Sequence, residues 1–177
     1  MTKPPEEPES YIPEERWIFG SHSGTQLDSR EFEKTFAPIN RDFISFDQRL
    51  RSFITSNFPG EAPRYEDLIY IQPFKCLYIS YQSVEDWTEA RDILRCNPDF
   101  HECKRYDCVI VNDDGPGTTV ARLHLLLRCW LPSGKVVDMA LVHAFNRNKW
   151  RPFTMWDNCQ IYTETQDSSF LLMDYVV

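Results

Sequence analysis

The residues of this chain best suited to hold a metal are Cys96, His101, Cys103 and Cys108, three thiols and an imidazole within thirteen residues. Zinc takes four such ligands in a tetrahedron, and compact zinc sites usually present two thiolates from one tight turn as Cys-x-x-Cys. The spacing here is Cys-x4-His-x-Cys-x4-Cys without that knuckle, and Cys108 opens an apolar run, so no metal or other cofactor is assigned. Nucleophilic catalysis needs a Ser or Cys beside a His, with an acid to orient it. His124 and His143 stand in neighbouring strand-like runs and face each other if those runs pair, with Asp138 nearby. Because His124 alternates with Arg122 and Leu126, ordinary cross-strand packing accounts for it. No GxSxG, HExxH, GxGxxG or phosphate-loop pattern occurs, and no catalytic residue is assigned.

Carboxylates offer a third chemistry. Asp107, Asp113 and Asp138 lie on or beside VIVNDDG and the strands that follow, as do the strand-borne acids with which RNase H-like nucleases hold Mg²⁺. Such a fold requires a helix and another acid-bearing strand after the meander, whereas residues 147–177 read as one more strand and a short tail. Asp113-Asp114-Gly115-Pro116-Gly117 is turn chemistry, in which Asp and Gly supply local hydrogen bonds and positive φ. A divergent nuclease or transposase fragment is the alternative reading.

Aromatic residues form the more usable pattern. Tyr78 and Tyr81 close one strand-like run, Trp87 follows, and Trp150, Phe153 and Trp156 crowd the last connection beside Asp157. Rings converging with a carboxylate hold a methylated ammonium by cation–π attraction, about 0.5–2 kcal/mol per contact. The plainer explanation is that large rings plug the end of a small barrel. Arg147, Lys149 and Arg151 surround Trp150, an alternation that meets a phosphate backbone and a base together, or simply a solvated loop. The candidate binding residues are therefore Tyr81, Trp87, Arg147, Lys149, Trp150, Arg151, Trp156 and Asp157.

The elements that must position these residues follow from periodicity. Residues 1–15 hold one Lys, five Glu and four Pro, a composition that predicts a disordered acidic tail. In 16–60, a helical segment, Trp17-Ile18-Phe19 reads as a short anchoring strand. Phe36, Ile39, Phe43, Phe46, Leu50 and Phe53 then recur at three- and four-residue steps, which lines one side of a helix. Pro38 breaks that stripe, predicting a short helix before it and a main helix from about Pro38 to Ser56. Residues 61–177 form the β domain. LIYIQPFKCLYISYQ gives one or two strands with a bend or edge at Pro73, and SVEDWTEARDILRC reads as a short helix capped by Ser83 with Trp87, Ala90, Ile93 and Leu94 on one face. CNPDFHECKR is a loop. From Arg105 to Tyr162 the apolar runs alternate with turn clusters as antiparallel strands do.

Composition bounds the partners. The net charge is −8, and residues 1–15 supply half of it, one Lys against five Glu, so strong nonspecific nucleic-acid binding is disfavoured. No stretch approaches the ~20 apolar residues that span a bilayer. Six Cys, three of them inside apolar strand-like runs, fit reduced thiols in an intracellular compartment. The closing LLMDYVV carries no polar tail, which fits a chain continuing into a longer protein or a segment covered at an interface.

Over residues 75–177, KCLYISYQSVEDW, DILRCNPDFHECKRYDCVIVN, ARLHLLLRCWLPSGKVVDMALVHAF and TMWDNCQIY occur in that order. This succession resembles uncharacterised proteins associated with mobile elements of basidiomycete fungi, in which an Ala-Leu-Val strand and a Trp-Asp turn likewise follow, as Ala140-Leu141-Val142 and Trp156-Asp157 do here. The strand order is also similar, more distantly, to BAH and related SH3-like barrels, modules that read chromatin or mediate protein contacts. These resemblances imply an α+β chain, an antiparallel SH3-like or BAH-like β-barrel with packed N-terminal helices. They also imply a non-catalytic recognition module for a protein partner or modified peptide, in a nuclear or transposon-derived setting.

Overall fold

The computed structural model describes residues 17–83, 85–112, 117–147 and 161–176. The architecture is α+β, with antiparallel sheets and two helices. The predicted tail of residues 1–15 lies outside the described residues. β1 (Trp17–Phe19) is the anchoring strand, and β2 (Leu27–Asp28) leads into α1 (Ser29–Phe36). Asp28 caps α1 by accepting from the Arg30 backbone N–H at 3.0 Å, satisfying one of the donors a helix start leaves open.

The Phe stripe is carried by three pieces rather than two. A single 3-10 turn (Arg41–Phe43) separates α1 from α2 (Phe46–Asn57). Asn40 caps that turn through the Asp42 N–H, and Ser45 takes a left-handed conformation at φ 55°, which a continuous right-handed helix from Pro38 cannot contain. The break turns Ile39 out to 80% exposure while Phe43, Phe46, Leu50 and Ile54 stay in the core. It also brings Asp42 down onto the sheet.

β3 (Tyr70–Phe74) and β4 (Cys76–Gln82) are one run bent at Lys75. Pro73 sits beyond the two-residue contact of β2, where only an isolated bridge continues the edge and the Pro73 carbonyl accepts from the Ser23 N–H at 2.8 Å. The segment predicted as a helix with Trp87, Ala90, Ile93 and Leu94 on one face is instead a turn and the strand β5 (Glu89–Phe100), paired with β4 from Gln82↔Glu89 to Cys76↔Arg95. The same residues satisfy a period of two, Leu94 and Cys96 turning inward and Arg91 and Ile93 outward, and the facing strand decides between the periods. The expected loop at CNPDFHECKR is a hairpin. His101 and Glu102 both have positive φ, as a two-residue type I′ turn requires, between β5 and β6 (Cys103–Tyr106).

β7 (Cys108–Asn112), β8 (Thr118–Trp130), β9 (Val136–Arg147) and β10 (Tyr162–Leu172) complete the run read from Arg105 onward. One sheet has the order β10-β9-β8-β3-β2 with β7 also on β8, and the other is β1-β4-β5-β6. β3 and β7 share one edge of β8, at Leu126–Trp130 and Thr118–Arg122 respectively. Between them the chain bends at Lys75 and Asp107 into the smaller sheet, which folds over one face of the larger. The other face carries the helices, so β8 and β9 are buried on both sides and read as nearly continuous apolar runs.

Two bulges break this regularity. Between Leu123↔Val142 and Leu125↔Leu141, β8 advances two residues and β9 one, leaving His124 as the extra residue. In β10, pairing passes from Glu164↔Phe145 to Ser168↔His143, which loops out two residues. The β8 bulge moves Leu126 to the small-sheet face and Leu125 to the helix face, so the Arg122, His124, Leu126 alternation stops at His124.

Candidate functional site

The bulges and the 3-10 turn bring together four side chains that lie far apart in sequence: Asp42, His124 from β8, His143 from β9 and Glu164 from β10. The two imidazole rings stack with centroids 3.8 Å apart and planes 16° from parallel. Asp42 spans one edge of the pair, its Oδ2 at 3.1 Å from His124 Nδ1 and its Oδ1 at 2.9 Å from His143 Nε2. Glu164 spans the opposite edge, its Oε1 at 3.3 Å from His124 Nε2 and 3.4 Å from His143 Nδ1. All four ring nitrogens therefore face carboxylate oxygen. Side-chain exposure is 8% for His143, 9% for Asp42 and 13% for His124.

Each member is held from behind. Arg122, paired with His143 across the strands, donates through Nε to Glu164 Oε2 at 2.9 Å and through Nη1 to the Tyr106 carbonyl at 3.2 Å. The Tyr106 ring lies on the outer face of His124. Arg49 of α2 donates to the Asp42 carbonyl at 2.9 Å and also to Ser168, past the β10 bulge. Burial, first, and the adjacent His143 push the His124 pKa below its ordinary value against the upward pull of Glu164 and Asp42.

The other candidates are placed differently. His124 and His143 do face each other, but the acid beside them is Asp42; Asp138 forms a two-bond fork with Arg128 at 2.7 and 2.8 Å. Asp107 accepts from the Arg95 backbone N–H and from Arg105. The β8 ladder separates the neighbourhoods of Asp107 and Asp138 by the six residues from Arg122 to Arg128, about 20 Å, so these two acids do not share an ion. Asp113 lies outside the described residues. Cys96, His101, Cys103 and Cys108 do not converge: Cys96 is buried, while Cys103 and Cys108 are exposed. Burial drives the Cys96 thiol far above its usual pKa and that of Cys129 up to about 12, so both behave as small apolar groups.

Of the aromatic set, Trp87 is 71% exposed in the β4–β5 turn and Tyr81 45% exposed beside it. Tyr78 and Tyr81 fall on opposite faces of β4, Tyr78 opposite Ile93 and Tyr81 opposite Ala90, so they do not join one cage. Arg147 is exposed at the end of β9. Lys149, Trp150, Arg151, Phe153, Trp156 and Asp157 lie outside the described residues. Asp42 and Glu164 were missed by sequence reasoning. Glu164 stands in the polar first half of β10 and Asp42 inside the stretch expected to be helix, and nothing in the spacing ties residue 42 to residue 143.

Among the described residues no helix is long and apolar enough to cross a membrane. No protein-family model matches the chain, and neither the curated proteins nor the solved structures contain a match to it.

Proposed function

We propose that this chain is a non-catalytic recognition module that holds a peptidic segment of a protein partner against the β4–β5 arm. One observation carries this reading: Ile18, Tyr78 and Ile93 are exposed together on one face of the small sheet, with Trp87 exposed at its turn, a concentration of apolar area that interfaces use. Ile18, Tyr78 and Ile93 sit side by side across three strands, with Arg91 and Arg95 on the same face. Arg105 follows on β6, opposite Asn97. Arg91 and Arg105 are paired with Glu89 and Asp107, and with Arg95 they still put three guanidiniums beside the apolar row, which favours a segment combining apolar and acidic side chains. The likeness of the strand succession to SH3-like or BAH-like barrels, and a nuclear or transposon-derived setting, belong to this proposal.

Fluorescence titration with labelled peptides tests it, using an acidic-apolar sequence, a trimethyl-lysine sequence and its unmethylated control. The acidic-apolar peptide is expected to bind saturably, and Tyr78→Ala/Ile93→Ala to weaken it at least about tenfold. Unchanged affinity in that variant overturns the reading. So does Mg²⁺- or Mn²⁺-dependent cleavage of nucleic acid that Asp113→Ala abolishes.

A further inference from the structure

We infer that Asp42, His124 and His143 are the ligands of a divalent transition-metal site, with zinc its foremost occupant and Glu164 the group that orients both imidazoles. One ligand atom from each of the three lies within 4.8 Å of the other two. A tetrahedron with bonds of about 2.0 Å has edges of about 3.3 Å. Asp42 sets a different oxygen against each ring, Oδ2 at 3.1 Å from His124 Nδ1 and Oδ1 at 2.9 Å from His143 Nε2, so the three ligand atoms reach that edge length around one ion only after the side chains draw together. Two imidazoles and one carboxylate form a borderline donor set that suits zinc or ferrous iron and not the oxygen-seeking Mg²⁺ or Ca²⁺.

Glu164 supplies what such a site needs behind its ligands. Its Oε1 faces His124 Nε2 and His143 Nδ1, the two nitrogens that Asp42 does not face. A carboxylate accepting the second N–H of a metal-binding His sets the tautomer and raises the basicity of the ligating nitrogen. Arg122 fixes Glu164, and Asn40 and Arg49 fix the backbone of Asp42. Asp42 also borders a surface recess that it lines with Arg41, Ile44, Arg49, Gln166, Asp167 and Ser168. Imidazole lone pairs lie in the ring plane, and near-parallel rings cannot both aim at one point. Binding therefore turns one ring about its Cβ–Cγ bond, exchanging stacking for convergence. Three protein ligands leave a fourth position to water or to a donor from a bound partner.

The test is titration of the full, chelator-stripped chain with Zn²⁺ in competition with a chromophoric chelator. One equivalent is expected to bind. His124→Ala, His143→Ala and Asp42→Ala should each weaken it about 100-fold or more, and Glu164→Gln about 10- to 100-fold. Cys103→Ser/Cys108→Ser, which removes two exposed thiols, should leave it unchanged. Co²⁺ bound to the unsubstituted protein gives a readout independent of how the variants fold: visible d–d bands without a thiolate charge-transfer band are expected. Absence of one-equivalent binding, its loss in the cysteine variant, or a thiolate band with Co²⁺ overturns the assignment.

Discussion

Asp47→Asn tests whether the helical layer is held by charge as well as by packing. Asp47 Oδ2 accepts from Arg51 Nε at 2.9 Å and lies 3.4 Å from Arg30 Nε, and its Oδ1 accepts from the buried Ser29 hydroxyl. Burial raises the Asp47 pKa, but the bonds from Arg51 and Ser29 and the two guanidinium charges outweigh it, leaving the carboxyl below its ordinary value. Asparagine keeps the shape and an oxygen for Ser29, yet it turns an amide donor towards Arg51 where an acceptor stood. A hydrogen bond to a charged group contributes about 1.5–3 kcal/mol. The Arg51 contact, with both side chains nearly buried, belongs in that range, whereas the longer contact to the more exposed Arg30 adds little.

The expected cost is about 2 kcal/mol near pH 7, or a Tm lower by about 4–8 °C for a chain of this size. A folded-state carboxyl pKa below the unfolded value stabilises fully above about pH 4, and that contribution is lost as pH falls through the folded pKa. The gap between the two proteins should therefore be constant from about pH 7 to about pH 5 and close towards about pH 2. Urea denaturation across that range measures it. A gap of equal size in acid refutes the electrostatic origin, and a gap under about 0.5 kcal/mol at neutral pH refutes the contribution itself.

Three further outcomes follow from the packing. A Cβ on Gly20 would collide with Cys76 Sγ and sit 2.7 Å from the Tyr78 ring, so Gly20→Ala should cost about 1–3 kcal/mol by thermal denaturation, with part restored by Cys76→Ala. Leu126→Ala empties a fully buried position between the sheets and should cost about 2–5 kcal/mol in urea. Trp87→Ala, by contrast, should leave stability within about 0.5 kcal/mol, since its side chain is mostly exposed; a larger loss would show that Trp87 packs on the domain instead of presenting a contact surface.

Much of the fold was legible because local rules and tertiary context agree. The apolar runs from Cys108 to Leu172 pair as antiparallel strands, with Gly134 at φ 87° turning β8 into β9. The Phe stripe does pack against its own domain. Errors arose where two periods fit the same residues. Ala90, Ile93 and Leu94 satisfy a helix face and a strand alternation alike, and only β4 lying alongside made the strand the better structure. The region from Pro38 to Ser45 was read as helix because Phe43 and Phe46 kept step, while the left-handed Ser45 and the Asn40 cap carry no periodic signal.

By itself the sequence determined the strands from Cys108 onward, the two helices and the choice of face for most apolar residues, because spacing along a chain encodes periodicity directly. It also supplied both histidines and the expectation that they face each other. The meeting of His124 and His143 with Asp42 and Glu164 was decided only in three dimensions. A bulge is an insertion in pairing, visible only against the partner strand, and a contact between Asp42 and His143 links residues about a hundred positions apart. Local propensity contains no term for either. Both follow from how two helices settle on a sheet whose register has slipped at His124 and again after Glu164.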